Sequence, residues 1–189
     1  MYIAFEGVDT CGKTTQIELL KKVFPEFVYT KEPGGTELGI KVRELALHHP
    51  NIDEKSRLFL FLADRSEHVA KIIRPNIHKT IVSDRSVISG LAYSKFGVSD
   101  FEQVKTMSLF AVDGIVPSLV IILKLDEATI RLRLGSKTAD EIEKQGIKKL
   151  LEIQERMPRI CDELGIKYEI IDASQTIEEI HNKIKAIVQ

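Results

Sequence analysis

Five short runs of apolar and β-branched residues punctuate the chain: Tyr2 to Phe5, Phe27 to Thr30, Thr80 to Ser83, Leu119 to Leu125 and Tyr168 to Ile171. Continuous hydrophobicity, without polar alternation, is the pattern of strands covered on both faces, as in parallel sheets. Between them lie stretches of helical period: Thr15 to Phe24, Glu37 to Leu47, Asp53 to His78, Ser99 to Val112, Glu143 to Leu164 and Thr176 to Val188. Strands and helices alternating at these lengths predict an α/β fold, a doubly wound five-stranded parallel sheet with helices on both faces and right-handed crossovers. In such sheets ligands bind beyond the carboxyl ends of the strands. The search for chemistry therefore starts directly after each strand.

A chain of 189 residues with 43% hydrophobic content has the size and apolar content of one domain, expected over 1–189. Its 27 Lys and Arg are balanced by 28 Asp and Glu, so it has no overall positive field for nucleic acid or an anionic membrane. Any anion must be gripped locally. Cys11 and Cys161 are too few for a disulfide framework and have no zinc-ligand spacing to the histidines. The opening MYIAFEG lacks the basic and long apolar regions of a signal peptide, and about 18 apolar residues never run together. A cytoplasmic location is expected.

The first strand is followed by Gly7-Val8-Asp9-Thr10-Cys11-Gly12-Lys13-Thr14, an uninterrupted G-x-x-x-x-G-K-[ST] string that opens a helix. Gly7 and Gly12 permit the tight turn, and the loop's backbone N–H groups face an anion. Lys13 reaches the terminal phosphates of a nucleoside triphosphate, and Thr14 offers its hydroxyl to Mg2+. The guanine-reading Asn-Lys-x-Asp element of a GTPase is missing: Asn182-Lys183 is followed by Ile184 and Lys185. Cys11 lies beside Lys13 and near a helix start, an environment that tends to lower a thiol pKa, and a small residue that fits the loop is the favoured use of the position.

The segments after strands two and three, and the helical stretch between them, suit a second substrate. In TKEPGGTELGIKVR, Pro33-Gly34-Gly35 makes a turn open to close approach, Thr36 caps the next helix and Arg43 projects from it. In RLFLFLADRSEHV, Phe61 and Arg65 stand at i and i+4, a flat apolar surface beside a donor. A base could stack on Phe61, and core packing is the competing use of that side chain. In IVSDRSVISGLAYS, Asp84 is placed for Mg2+ and Arg85 for bidentate grip on a phosphate.

In this order, FEGVDTCGKTTQ, KEPGGT, LFLADR and DRSVISGLAYS resemble the motifs of the thymidylate kinase family, and the resemblance runs nearly end to end. It implies the P-loop nucleotide-kinase fold and transfer of the γ-phosphoryl of MgATP to dTMP, giving dTDP and ADP. By the same resemblance Phe61 stacks on thymine and Arg65 contacts it. Arg43 and Arg85 hold the monophosphate, Asp9 lies near the acceptor sugar and the transferring group, and Tyr93 lies under the deoxyribose. The Asp172-Ala173-Ser174 turn borders adenine. The family also implies a homodimer formed through helices, for which Leu58 to Ala63 is a candidate contact, with core burial as the competing use of that segment.

Several positions depart from the family pattern. Thr10 leaves the P-loop without an arginine. In a lid expected at about 134–143, Glu141 follows Asp140 where an arginine is common, so the lid cation falls to Arg131, Arg133 or Lys137. Lys31 replaces an arginine before Glu-Pro-Gly-Gly in the acceptor loop, exchanging a fork for a point charge. Ser86 stands where an aromatic is common, and Gly90 removes a side chain that elsewhere reads the base. Two other readings share these residues: a P-loop kinase for a different small acceptor, and a nucleotide-binding regulator without catalysis.

Overall fold

The computed structural model describes residues 1–94, 100–134 and 141–189, with the side chains of 141–145 left aside. Strands β1 (Tyr2–Glu6), β2 (Val28–Lys31), β3 (Ile81–Asp84), β4 (Leu119–Lys124) and β5 (Lys167–Asp172) form one sheet in the order β2-β3-β1-β4-β5. Every pairing is parallel. The central strands are mainly apolar because helices cover both faces: Ile3, Phe5, Val82, Ile121 and Leu123 are fully buried. The register sets Phe5 and Lys31 opposite Asp84, and Glu6 opposite Ile122. The ends of β1, β2 and β3 therefore open at one level, where the polar motifs follow.

The helices are α1 (Lys13–Val23), α2 (Glu37–His48), α3 (Glu54–His68), α4 (Val87–Tyr93), α5 (Phe101–Ala111), α6 (Glu127–Leu134), α7 (Glu141–Leu164) and α8 (Ile177–Val188). The long helical stretch read from Asp53 to His78 is divided. Its α-helix ends at His68, continues as a π turn over Val69–Ile73 and closes as a 3-10 turn at Arg74–Asn76, where Pro75 has no N–H to continue the ladder. Helices α4 and α6 are additional to the predicted set. Helix α4 reads VISGLAY, with Val87, Ile88, Ser89, Leu91 and Ala92 buried, so it carries no amphipathic stripe to recognise. No helix among the described residues is long and apolar enough to cross a membrane.

Candidate active site

The loop between β1 and α1 forms the expected cradle. Gly7 has φ +144, and a Cβ there would lie 2.6 Å from the Leu123 carbonyl oxygen and 2.7 Å from Cys11 Sγ, so conformation and space both require glycine. Gly12 starts α1 in the left-handed region without a side-chain cap, and the helix presents its first N–H groups to an anion. Lys13 is 7% exposed. Its Nζ donates to the carbonyls of Gly7 at 3.0 Å and Val8 at 3.2 Å and lies 3.6 Å from Cys11 Sγ. Cys11 is itself buried, and burial pushes its thiol up despite the neighbouring ammonium. Desolvation outweighs the lowering that Lys13 would bring, in keeping with a small residue that fits the loop.

The cradle is tied to the other half of the sheet by Arg133 of α6. Its Nη1 donates to the Thr10 carbonyl at 3.0 Å and its Nη2 to the Ala173 carbonyl at 2.8 Å, joining the loop to the Asp172-Ala173-Ser174 turn. Arg131, two residues earlier, pairs with Glu127 at 2.9 Å along its own helix. Lys137 and residues 135–140 of the expected lid lie outside the described residues.

Beside the cradle, Thr14 Oγ1 donates to Asp84 Oδ2 at 3.2 Å. A hydroxyl and a carboxylate are the hard oxygen donors that suit Mg2+, which keeps waters and phosphate oxygens for its other positions. Arg85 follows with φ +74, a conformation costly for a non-glycine residue. Its amide donates to the Phe5 carbonyl at 2.9 Å. The guanidinium donates from Nη2 to Asp9 Oδ1 at 2.6 Å and from Nη1 to Ser89 Oγ at 2.9 Å and the Gly7 carbonyl at 3.2 Å. It also stands over the Tyr93 ring, 5.2 Å from the centroid.

Behind Arg85 lies Glu6, fully buried and not among the residues singled out from sequence. Its carboxylate accepts from Ser86 Oγ at 2.7 Å, from the Ser89 amide at 3.3 Å and from Ser89 Oγ. Burial pushes its pKa up, opposed by those serines and by Arg85. The sequence signal is a carboxylate at the end of an otherwise apolar strand, since such a charge requires partners.

A cavity of about 280 Å³ opens from Arg85 toward α3, lined by Asp9, Arg43, Phe61, Arg65, Gly90 and Tyr93 among others. Phe61 is half-buried on its wall. Arg43 is exposed and donates to the Pro33 carbonyl at 3.1 Å, across the turn that follows the cis Glu32–Pro33 bond. Arg65 is 5% exposed; its Nε donates to Glu32 Oε2 at 3.1 Å. The other Glu32 oxygen meets His68 Nδ1 at 2.8 Å, and His68 Nε2 meets Thr30 Oγ1 at 2.6 Å. Asp64 Oδ1 accepts from the Gly34 amide at 2.9 Å. Glu32, Asp64 and His68 are the partners that sequence reasoning missed. The pattern was present, because Phe61, Asp64, Arg65 and His68 fall at i, i+3, i+4 and i+7 on the inward face of one helix. Lys31 is not brought to this cavity; it lines an adjoining cleft with Thr14 and Asp84.

The model of the thymidylate kinase family matches residues 5–184. A thymidylate kinase of Nautilia profundicola is 49% identical over 189 residues, covering 100% of this chain and 96% of its own. One from Wolinella succinogenes is 50% identical over 184 residues, covering 97% of this chain and 96% of its own. The crystal structure of thymidylate kinase from Ehrlichia chaffeensis superposes with a TM-score of 0.79 at 25% identity, covering 100% of this chain and 98% of that one. With the P-loop, the acceptor loop, the LFLADR helix and the Asp84-Arg85 segment assembled around one cavity, the chain belongs to the thymidylate kinase family.

Proposed function

We propose that this chain, acting as one domain, transfers the γ-phosphoryl of ATP to the 5′-phosphate of dTMP, giving dTDP and ADP by direct in-line displacement. The observation that carries the reading is the position of Arg85, which bonds the P-loop at Gly7 and Asp9 and also lines the acceptor cavity. A phosphate held by Arg85 lies at the mouth of the cradle, so donor and acceptor meet there.

The loop amides and Lys13 hold the donor phosphates, and Thr14 with Asp84 would hold Mg2+. When bound, that ion neutralises charge on the phosphate oxygens. Arg43 and Arg85 grip the acceptor phosphate. Phe61 supports the thymine face, Arg65 donates to the base edge, Tyr93 backs the deoxyribose, and Asp9 faces the sugar side of the transferring group. Contact with Thr10 supports Arg133 over Arg131 as the cation on the lid side, and the place of Lys31 beside Thr14 and Asp84 supports a role for it on the phosphate side. The acceptor is an ionised phosphate, so positioning and charge neutralisation do most of the catalysis and no strong general base is required.

The enzyme is also read as a homodimer. Ile40 and Leu45 on α2 and Phe59 on α3 are 62%, 48% and 54% exposed, and α2 and α3 pack side by side. Apolar side chains at such exposure on neighbouring helices suit a partner surface.

The deciding experiment measures ADP formation from MgATP with dTMP, dUMP, dCMP, dGMP, AMP and thymidine supplied separately. Strong preference for dTMP is expected. Preference for another acceptor would overturn the base assignment of Phe61 and Arg65, and no acceptor-dependent turnover would favour a non-catalytic regulator.

A further inference from the structure

The guanidinium of Arg65 lies against the backbone of Gly90 on α4. A Cβ at Gly90 would stand 2.5 Å from Arg65 Cζ, 2.5 Å from Nη1 and 2.6 Å from Nη2, and these are its three nearest atoms. Such distances lie far inside van der Waals contact. The Arg65 Nε is held by Glu32, whose other oxygen is fixed by His68. Three segments therefore define one position for this cation: the acceptor loop through Glu32, α3 through Arg65 and His68, and α4 through the side chain it lacks. Nη1 is buried with no hydrogen-bond partner among the described residues, a costly state for a charged donor. Both Arg65 and Gly90 line the acceptor cavity.

We propose that Gly90 is a specificity-determining residue, because the space left by its missing side chain lets Glu32 hold Arg65 with a donor edge free for the base of the acceptor. The inference rests on the assignment of this cavity to a pyrimidine monophosphate. A guanidinium donates and never accepts. Held there, it favours a base with a carbonyl at that edge, as in thymine and uracil, over one with an amino group, as in cytosine. The glycine acts on the substrate only through Arg65.

The test is a double-mutant cycle of Gly90→Ala and Arg65→Ala, read as kcat and KM for dTMP and dCMP. In Gly90→Ala the end of a flexible side chain has to give way, not the backbone, so a retained fold is the expected outcome. The KM for dTMP should rise about tenfold or more, the scale of one hydrogen bond to a charged group. The effect on kcat should be smaller, and the preference for dTMP over dCMP should fall in parallel with the KM change. Adding Gly90→Ala to Arg65→Ala should change each value by less than about twofold, since the two act as one unit.

Additive losses around the cycle would overturn the inference, as would an unchanged KM and preference in Gly90→Ala. If Gly90→Ala alone fails to fold, the double variant decides. Recovery of fold and Arg65→Ala kinetics upholds the inference, and a second failure assigns the glycine to the backbone and overturns it. Absence of dTMP turnover in the unaltered enzyme would overturn the functional reading and this inference with it, whereas turnover combined with additive losses removes the inference alone.

Discussion

At the residue scale, the proposed reaction gives Lys13 and Phe61 different parts, and the two should fail differently. Lys13 is fixed by the Gly7 and Val8 carbonyls at the base of the cradle, a preorganised charge in a nearly water-free place. Lys13→Ala should lower kcat by about 10² or more in steady-state assays, and a rate near that of the unaltered enzyme would remove its role. Phe61 is half-buried on the cavity wall. Phe61→Ala should weaken acceptor binding by about 1 to 3 kcal/mol, the range for base stacking on an aromatic. An unchanged KM for dTMP with only a lowered Tm would make Phe61 a packing residue. Cys11 shows where local reasoning stops: adjacency to Lys13 suggests an activated thiol, but the walls that bury it are supplied by the fold.

At the scale of elements, α3 matters most because it bears Phe61, Asp64, Arg65 and His68 on one face. It begins at Asp53, whose Oδ1 accepts from the amides of Lys55 at 3.0 Å and Ser56 at 3.2 Å. Asp53→Ala should cost about 1 kcal/mol of stability in urea unfolding, the usual worth of such a cap; no shift of the midpoint would show that the helix start is held by packing alone. The cap expected at Thr36 is present, since capping is decided within a few residues, and Asp53 caps α3 in the same way. Helices α4 and α6 escaped the sequence reading for the opposite reason. One is apolar on most sides and the other is only 8 residues long, so neither offers the periodic stripe that solvent on one face imposes.

For the whole molecule, the exposed apolar side chains of α2 and α3 make assembly a prediction. Sedimentation equilibrium should give about twice the 21.4 kDa chain mass, with Phe59→Glu returning the protein to one chain. A single-chain mass for the unaltered protein would remove the dimer. The sequence by itself determined the five strands, their alternation with helices, the P-loop and the polar segments that line the cavity beside it. Each of these is written in contiguous residues or in a period of two to four, and such patterns depend only on local geometry and burial. Only the tertiary structure decided which distant groups meet. The strand order β2-β3-β1-β4-β5 brings Glu6 under Ser86 and Ser89, and the packing of α3 and α4 around the acceptor loop sets Arg65 between Glu32 and Gly90. The choice of Arg133 over Arg131 at the cradle has the same origin, because residues two apart on a helix point to nearly opposite sides. Which side meets the P-loop depends on how the helix lies on the sheet, and no local pattern encodes that.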